Sequence, residues 1–348
     1  MRYLALIIAL FAHAASGALD DLPKPRGEAF TPAEIKDLRA QALAEFAPAP
    51  PGRQVGNPPD QPVAELGRKL YFDARLSANQ SISCNSCHRL SDHGSGTEHR
   101  ATPLSPYTEP GLRNTPTTLN ASLQSVLGWD GRAETVKEFL RGHLLDPAIL
   151  GHAREARLLD RLKATEDYPA AFRQAFRGAP AGPTLDQLAE ALAAGLADQT
   201  TRDRFDDFLA GDDRALNGDE MNGLHRFLLV GCARCHKGPL LGGRSLAKLP
   251  EDGSAADSAD LGRMNLTLKP EDRRLFKVPS LRNITLTAPY FHDGSRTDLE
   301  TAVRDMSRLQ TKRKLKPEDV NLVVMFLRAL TDKDRLPPTT PAAKPAGQ

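Results

Sequence analysis

The sequence predicts a mainly α protein in two halves, and three observations carry that prediction. The run Cys84-Asn85-Ser86-Cys87-His88 recurs as Cys232-Ala233-Arg234-Cys235-His236, and together they take all 4 cysteines of the 348 residues. Helix-start signals, Thr31 with Glu34, Thr184 with Gln187 and Asn217 with Glu220, are each followed by apolar residues at helical spacing. No segment alternates apolar and polar residues in the manner of a strand. A chain of this length has a prior of two domains, and one cysteine run per half fits that division.

Met1-Arg2-Tyr3, the apolar run Leu4 to Ala12 and the small residues to Ala18 predict a signal peptide over 1–18. That apolar run is shorter than the roughly 20 residues needed to span a bilayer, as is every later one. The first half then covers 19–180. A helix is expected from the Thr31 cap to about Phe46, where Ala47-Pro48-Ala49-Pro50-Pro51-Gly52 stops it, and an amphipathic stretch from Val63 to Phe72 leads to the first cysteine run. From Arg89 to Arg113 the chain is polar, rich in Gly and Pro and without periodicity. Structureless segments this long are usually functional. Helical patterns follow over Thr135 to His143, Glu155 to Ala164 and Tyr168 to Phe176.

Gly178-Ala179-Pro180-Ala181-Gly182-Pro183 breaks the pattern and marks the boundary to a second half, 181–335. It opens with a helix from Thr184 to about Thr200. Another runs from Asn217 to Val230, just before the second cysteine run. Gly238 to Asp260 reads as loop, Pro317 to Leu330 as the last helix, and 336–348 as a disordered tail.

Cys-x-x-Cys-His is the attachment signature of c-type haem. Both thiols can bond the two vinyl groups of one porphyrin while the adjoining imidazole sits beneath the iron. A thioredoxin-like pair or a zinc site also uses Cys-x-x-Cys, but neither explains a histidine directly after both pairs. The sequence therefore predicts two covalent haem c groups, on Cys84, Cys87 and His88 and on Cys232, Cys235 and His236. Aromatic residues make up only 5% of the chain, and buried porphyrins would supply the missing apolar bulk. Such haem is attached outside the bacterial cytoplasm, which with the signal peptide predicts a periplasmic protein. The 46 basic and 44 acidic residues lie without long blocks, so charge suggests neither nucleic acid nor a membrane surface as partner.

Further motifs give the chain a family resemblance from about Leu66 to Leu330. They are Leu66-Gly67-Arg68-Lys69-Leu70-Tyr71-Phe72-Asp73, Arg113-Asn114-Thr115-Pro116-Thr117, Trp129-Asp130-Gly131-Arg132, Phe276-Lys277-Val278-Pro279-Ser280-Leu281-Arg282-Asn283 and Ala288-Pro289-Tyr290-Phe291-His292-Asp293-Gly294-Ser295. In this order they resemble the bacterial di-haem cytochrome c peroxidases and the related oxidases that modify proteins. The resemblance implies two cytochrome c-like domains packed face to face, with peroxide meeting the N-terminal haem and electrons entering at the C-terminal one from a small cytochrome c or cupredoxin. Peroxide cleavage takes two electrons and such donors give one, so the second haem stores the other. It also implies Met306 as the axial ligand opposite His236, Trp129 as the inter-haem electron path, and a calcium ion held by Asn114 with the carbonyls of Thr287 and Pro289. His292 is expected to be a hydrogen-bonding group near the haem edge. Relatives are commonly homodimers.

Two positions depart from the family pattern. Counting back from Asn114 puts Pro106 where these peroxidases carry a removable distal histidine, and counting about twenty residues on from Trp129 puts Ile149 where they carry a glutamate. Isoleucine cannot carry the proton that heterolysis of peroxide requires. Glu98, His99, Glu109, His143 and His152 are candidate replacements, with His99 and Glu98 first because they lie midway along the long loop. Three functions stand on this evidence: a peroxidase reducing hydrogen peroxide, a di-haem oxidase drawing electrons from a protein substrate through Trp129, and a non-enzymatic electron carrier with a blocked first haem.

Overall fold

The computed structural model describes residues 29–50, 61–90, 113–152, 154–178, 182–251 and 260–335. The expected signal peptide and tail, and Glu98, His99, Pro106 and Glu109, lie outside the described residues. The fold is mainly α. Helix α1, Pro32–Glu45, starts at the expected capping box: the Glu34 amide donates to Thr31 Oγ1 (3.3 Å) and the Thr31 amide to Glu34 Oε2 (2.7 Å). There follow α2 (Gln61–Tyr71), α3 (Cys84–Cys87), α4 (Val136–His143), α5 (Pro147–Leu150), α6 (Glu155–Ala164), α7 (Tyr168–Ala175) and α8 (Leu185–Ala197). The second half contributes α9 (Arg204–Ala210), α10 (Gly218–Val230), α11 (Met264–Thr267), α12 (Leu299–Met306) and α13 (Pro317–Ala329).

Two clusters of buried apolar side chains organise these helices. One gathers Leu66 and Leu70 of α2, Leu140 and Leu144 around the end of α4, Leu158, Leu162, Tyr168, Phe172 and the apolar face of α8. The other gathers α1, α9, α10 and α13, with Phe205, Phe208, Phe227 and Phe326 at its centre. Packing therefore places α1 with the second half and α8 with the first, although a linear division at 180 separates them the other way.

Both clusters are built on one kind of helix crossing. A Cβ at Gly67 of α2 would lie 1.7 Å from the Ala191 carbonyl oxygen of α8, and one at Gly223 of α10 would lie 2.0 Å from the Leu322 carbonyl oxygen of α13. Only glycine lets these backbones approach so closely. Each crossing fixes the helix that precedes a cysteine run, and so fixes where that run emerges.

One two-stranded antiparallel sheet, β1 (Leu246–Lys248) with β2 (Leu275–Lys277), interrupts the helices, with Leu246 opposite Lys277. The region Gly238 to Asp260, expected to be loop, contains the first of these strands. Three-residue strands are too short to show alternation, and β2 lies far along the chain. No described helix is long and apolar enough to cross a membrane.

Two candidate haem sites

The first site begins on α3, whose amide at Ser83 is capped by Ser86 Oγ (3.0 Å). The Tyr71 hydroxyl donates to the His88 carbonyl (2.6 Å), tying the run to α2. His88 Nδ1 lies 2.8 Å from the Pro116 carbonyl oxygen. A carbonyl can only accept, so Nδ1 carries the hydrogen and the lone pair resides on Nε2, the nitrogen left for a metal. The second site repeats the device: His236 Nδ1 donates to the Leu241 carbonyl (3.0 Å). That loop is itself held. Ser280 Oγ donates to Leu240 O (2.9 Å) and Arg282 Nε to Pro239 O (3.0 Å). The Cys84 and Cys232 thiols are pushed up to about 12 by burial, which keeps them neutral.

A cavity of about 460 Å³ opens at the second site, within the range of cofactor pockets. Cys232, Cys235, His236, Phe227, Phe276 and Met306 are among its walls. Met306, the last residue of α12, thus shares one cavity with His236. Two features fit a porphyrin bearing carboxylates. His292 is 3% exposed, and neither of its ring nitrogens has a hydrogen-bond partner. Lys277 is buried in the same wall with its ammonium 3.1 Å from Gln124 Oε1, and burial pulls its pKa down to about 8. Both groups could donate to a propionate. Lys277 stood in a recognisable motif, but nothing in the sequence shows that it lines the cavity.

The two sites are joined by the segment 114–117. Asn114, Thr115, Pro116 and Thr117 line the second cavity, while the Pro116 carbonyl holds the ligand histidine of the first. Trp129 lines that cavity too. Its Nε1 donates to the Asn114 carbonyl (2.7 Å), and its own carbonyl accepts from the Lys277 amide (2.8 Å). Below it, Arg113 bridges Asp130 (2.8 Å) and Asp260 (2.8 Å), and Arg132 adds a second contact to Asp130 (2.7 Å). Asn114 and Pro289, expected to share a calcium ion, do meet: Asn114 Nδ2 donates to the Pro289 carbonyl (2.6 Å), and the buried Oδ1 has no partner.

Of the acid/base candidates, the structure describes two. His152 is turned to the backbone, its Nε2 2.7 Å from the Leu76 carbonyl oxygen, so it is committed to structure. His143 is half-buried beside the first site, its ring centroid 6.3 Å from that of His88, and stacks on Phe139 at 5.2 Å. Burial, and then His88 beside it, hold its pKa down to about 3. Ile149 packs against the first apolar cluster.

The profile of the family "Di-haem cytochrome c peroxidase" matches residues 61–214. The cytochrome c551 peroxidase of Nitrosomonas europaea is 38% identical over 84% of this chain and 86% of its own length. That of Pseudomonas aeruginosa is 37% identical over 86% and 88%. This chain belongs to the di-haem cytochrome c peroxidase family. It is an oxidoreductase of the cytochrome c peroxidase type with two haem c groups. A solved structure of a MauG-like protein associated with microbial copper homeostasis shares the fold, with a TM-score of 0.70 and 25% identity over 83% of this chain and 95% of that one.

Proposed function

We propose that this protein reduces hydrogen peroxide to water in the periplasm, with electrons taken one at a time from a small cytochrome c or cupredoxin. The observation that carries this reading is the connection between sites: segment 114–117 and Trp129 wall the second cavity, and Pro116 grips His88 of the first. Haem bound at both sites supplies an iron that cleaves the O–O bond and a store for the second electron. Cys84 and Cys87 anchor the first haem and His88 ligates it; Cys232, Cys235, His236 and Met306 hold the second. A thioether ligand raises the potential of the storing site. Trp129 shortens the gap between them with an oxidisable indole. Each half forms one haem domain, with α1 reaching across to the second and α8 to the first.

Asn114 Oδ1 and the carbonyls of Pro289 and Thr287 supply hard oxygen ligands for calcium next to this path. A buried amide oxygen without a hydrogen-bond donor is a fitting ligand for such an ion. Residues 1–18 direct export.

The overall reaction consumes one peroxide, two electrons and two protons and yields two waters. The test is peroxide-dependent oxidation of a reduced small cytochrome or cupredoxin by the di-haem protein. Turnover that requires both reactants and is lost in Met306→Ala is expected. Absence of turnover after one-electron prereduction with every such donor would overturn the assignment.

A further inference from the structure

We propose that His143 is the sixth ligand of the first haem, a histidine supplied by α4 that closes the peroxide-facing side in the ferric protein. The inference rests on the assignment of Cys84, Cys87 and His88 to that haem. His88 donates Nδ1 to Pro116, so its Nε2 points away from the second cavity's wall. The His143 ring lies 6.3 Å from that of His88 between centroids, at 60° to it.

This separation is that of an edge-on ring pair, and it distinguishes a direct hydrogen bond from room for a metal between the rings. A direct hydrogen bond between two imidazole nitrogens, about 2.9 Å long, would put the ring centres about 5 Å apart. Two imidazoles on opposite sides of one metal, each with a bond of about 2 Å, have centres about 6 Å apart. The 6.3 Å spacing matches the second arrangement. The 60° angle is compatible, because both ring planes can contain the axis through the metal at any angle to one another.

The surroundings hold the imidazole for this role. Phe139, one helical turn earlier, stacks on its face at 5.2 Å and 26°. Leu140 and Leu144, its neighbours around the end of α4, are 7% and 1% exposed within the first apolar cluster. Among the described residues no hydrogen bond engages either ring nitrogen of His143, whereas His152 has found a carbonyl. His143 is also the last residue of α4, with only the cap at Leu144 beyond it, so fraying of one helical turn would withdraw it and admit peroxide.

The experiment uses the ferric di-haem protein, read by electron paramagnetic resonance, by the visible spectrum and by the rate of cyanide binding. The wild type should show both haems low-spin and bind cyanide slowly. His143→Ala should turn one haem per chain high-spin and bind cyanide fast, and added imidazole should restore the low-spin form. His143→Gln gives the same readout with a side chain closer in volume. The Met306-to-iron band should be unchanged throughout. A wild type that already holds one high-spin, cyanide-binding haem would overturn the proposal, as would a low-spin first haem that persists in both variants. Peroxide turnover measured in parallel separates this from the proposed function. If the spectra respond as expected but turnover is absent in every form, the ligand stands and the peroxidase reading falls; turnover by a high-spin wild type does the reverse.

Discussion

Replacing Arg282 with methionine removes a cation that is entirely shielded from water, between Asp203 and Asp206, themselves 1% and 0% exposed. The guanidinium donates to Asp206 Oδ1 (2.8 Å) and Oδ2 (2.9 Å), to Asp203 Oδ2, and to Pro239 O (3.0 Å). Breaking one partner of a buried ion pair costs about 3–5 kcal/mol, since the charges left behind have no water to turn to. The lost bond to Pro239 adds about 1 kcal/mol. A total of about 4–6 kcal/mol is a large share of the 5–15 kcal/mol typical of a folded domain. The damage is also local to function, because Pro239 and Leu240 shape the loop whose Leu241 carbonyl orients His236. Chemical denaturation should show the loss, and the Met306-to-iron band should weaken before global unfolding. Adding Asp203→Asn and Asp206→Asn removes the stranded charges but keeps acceptors for the amides of Ala49, Phe205 and Asp206, so it should restore most of the stability. A loss below about 1 kcal/mol in Arg282→Met would refute the argument that this triad holds the second haem's loop.

Gly67→Ala and Gly223→Ala should each destabilise by about 1–3 kcal/mol or more, since the added methyl meets a backbone carbonyl that cannot rotate away; denaturant midpoints equal to wild type would contradict this. Acid should weaken the joint beneath Trp129. Burial raises the pKa of Asp130 and of Asp260, but the arginines beside them outweigh it, so both carboxyls are held below their ordinary value. Their stabilisation is therefore present above the unfolded pKa of about 4 and lost as pH falls through the folded values. Arg113→Gln should flatten the acid limb of the stability curve, and an unchanged limb would sink the assignment. Trp129→Phe should lose about 1–3 kcal/mol with the bond to Asn114 O and slow electron transfer between haems. Flash reduction of the second haem measures that transfer, and an unaltered rate would return Trp129 to a packing role.

Much of this architecture was legible because it is encoded locally. The capping pairs Thr31/Glu34, Thr184/Gln187 and Asn217/Glu220 each open a helix, with both reciprocal hydrogen bonds formed. The helix from Asn217 ends at Val230 as expected, where Gly231 takes a φ of 92°. Features that depend on distant partners were not legible. The short α9 and the three-residue strands carry too few residues to show a period. The exchange of α1 and α8 between the two cores follows from packing at Gly67 and around Phe46, which no linear division reveals. His143 illustrates the same limit at the site: its position on a helix suggested an ordinary polar residue among several candidates, and only the fold brings it within 6.3 Å of His88. Lys277 acquires its meaning from a cavity that forms when β2 packs beside Trp129, whereas a hydrogen-bonding role for His292 near the haem edge was already expected from its motif.

The measurement that bears most directly on a storing haem at His236 and Met306 is a stoichiometric titration of the ferric protein with a one-electron reductant. Near-infrared and paramagnetic resonance spectra are recorded at each step. Histidine–methionine ligation raises the reduction potential, so the first electron should enter the second haem. The Met306-to-iron band should vanish with that electron, while the first haem remains ferric. A first electron that leaves the band intact and reduces the haem of His88 would contradict the account.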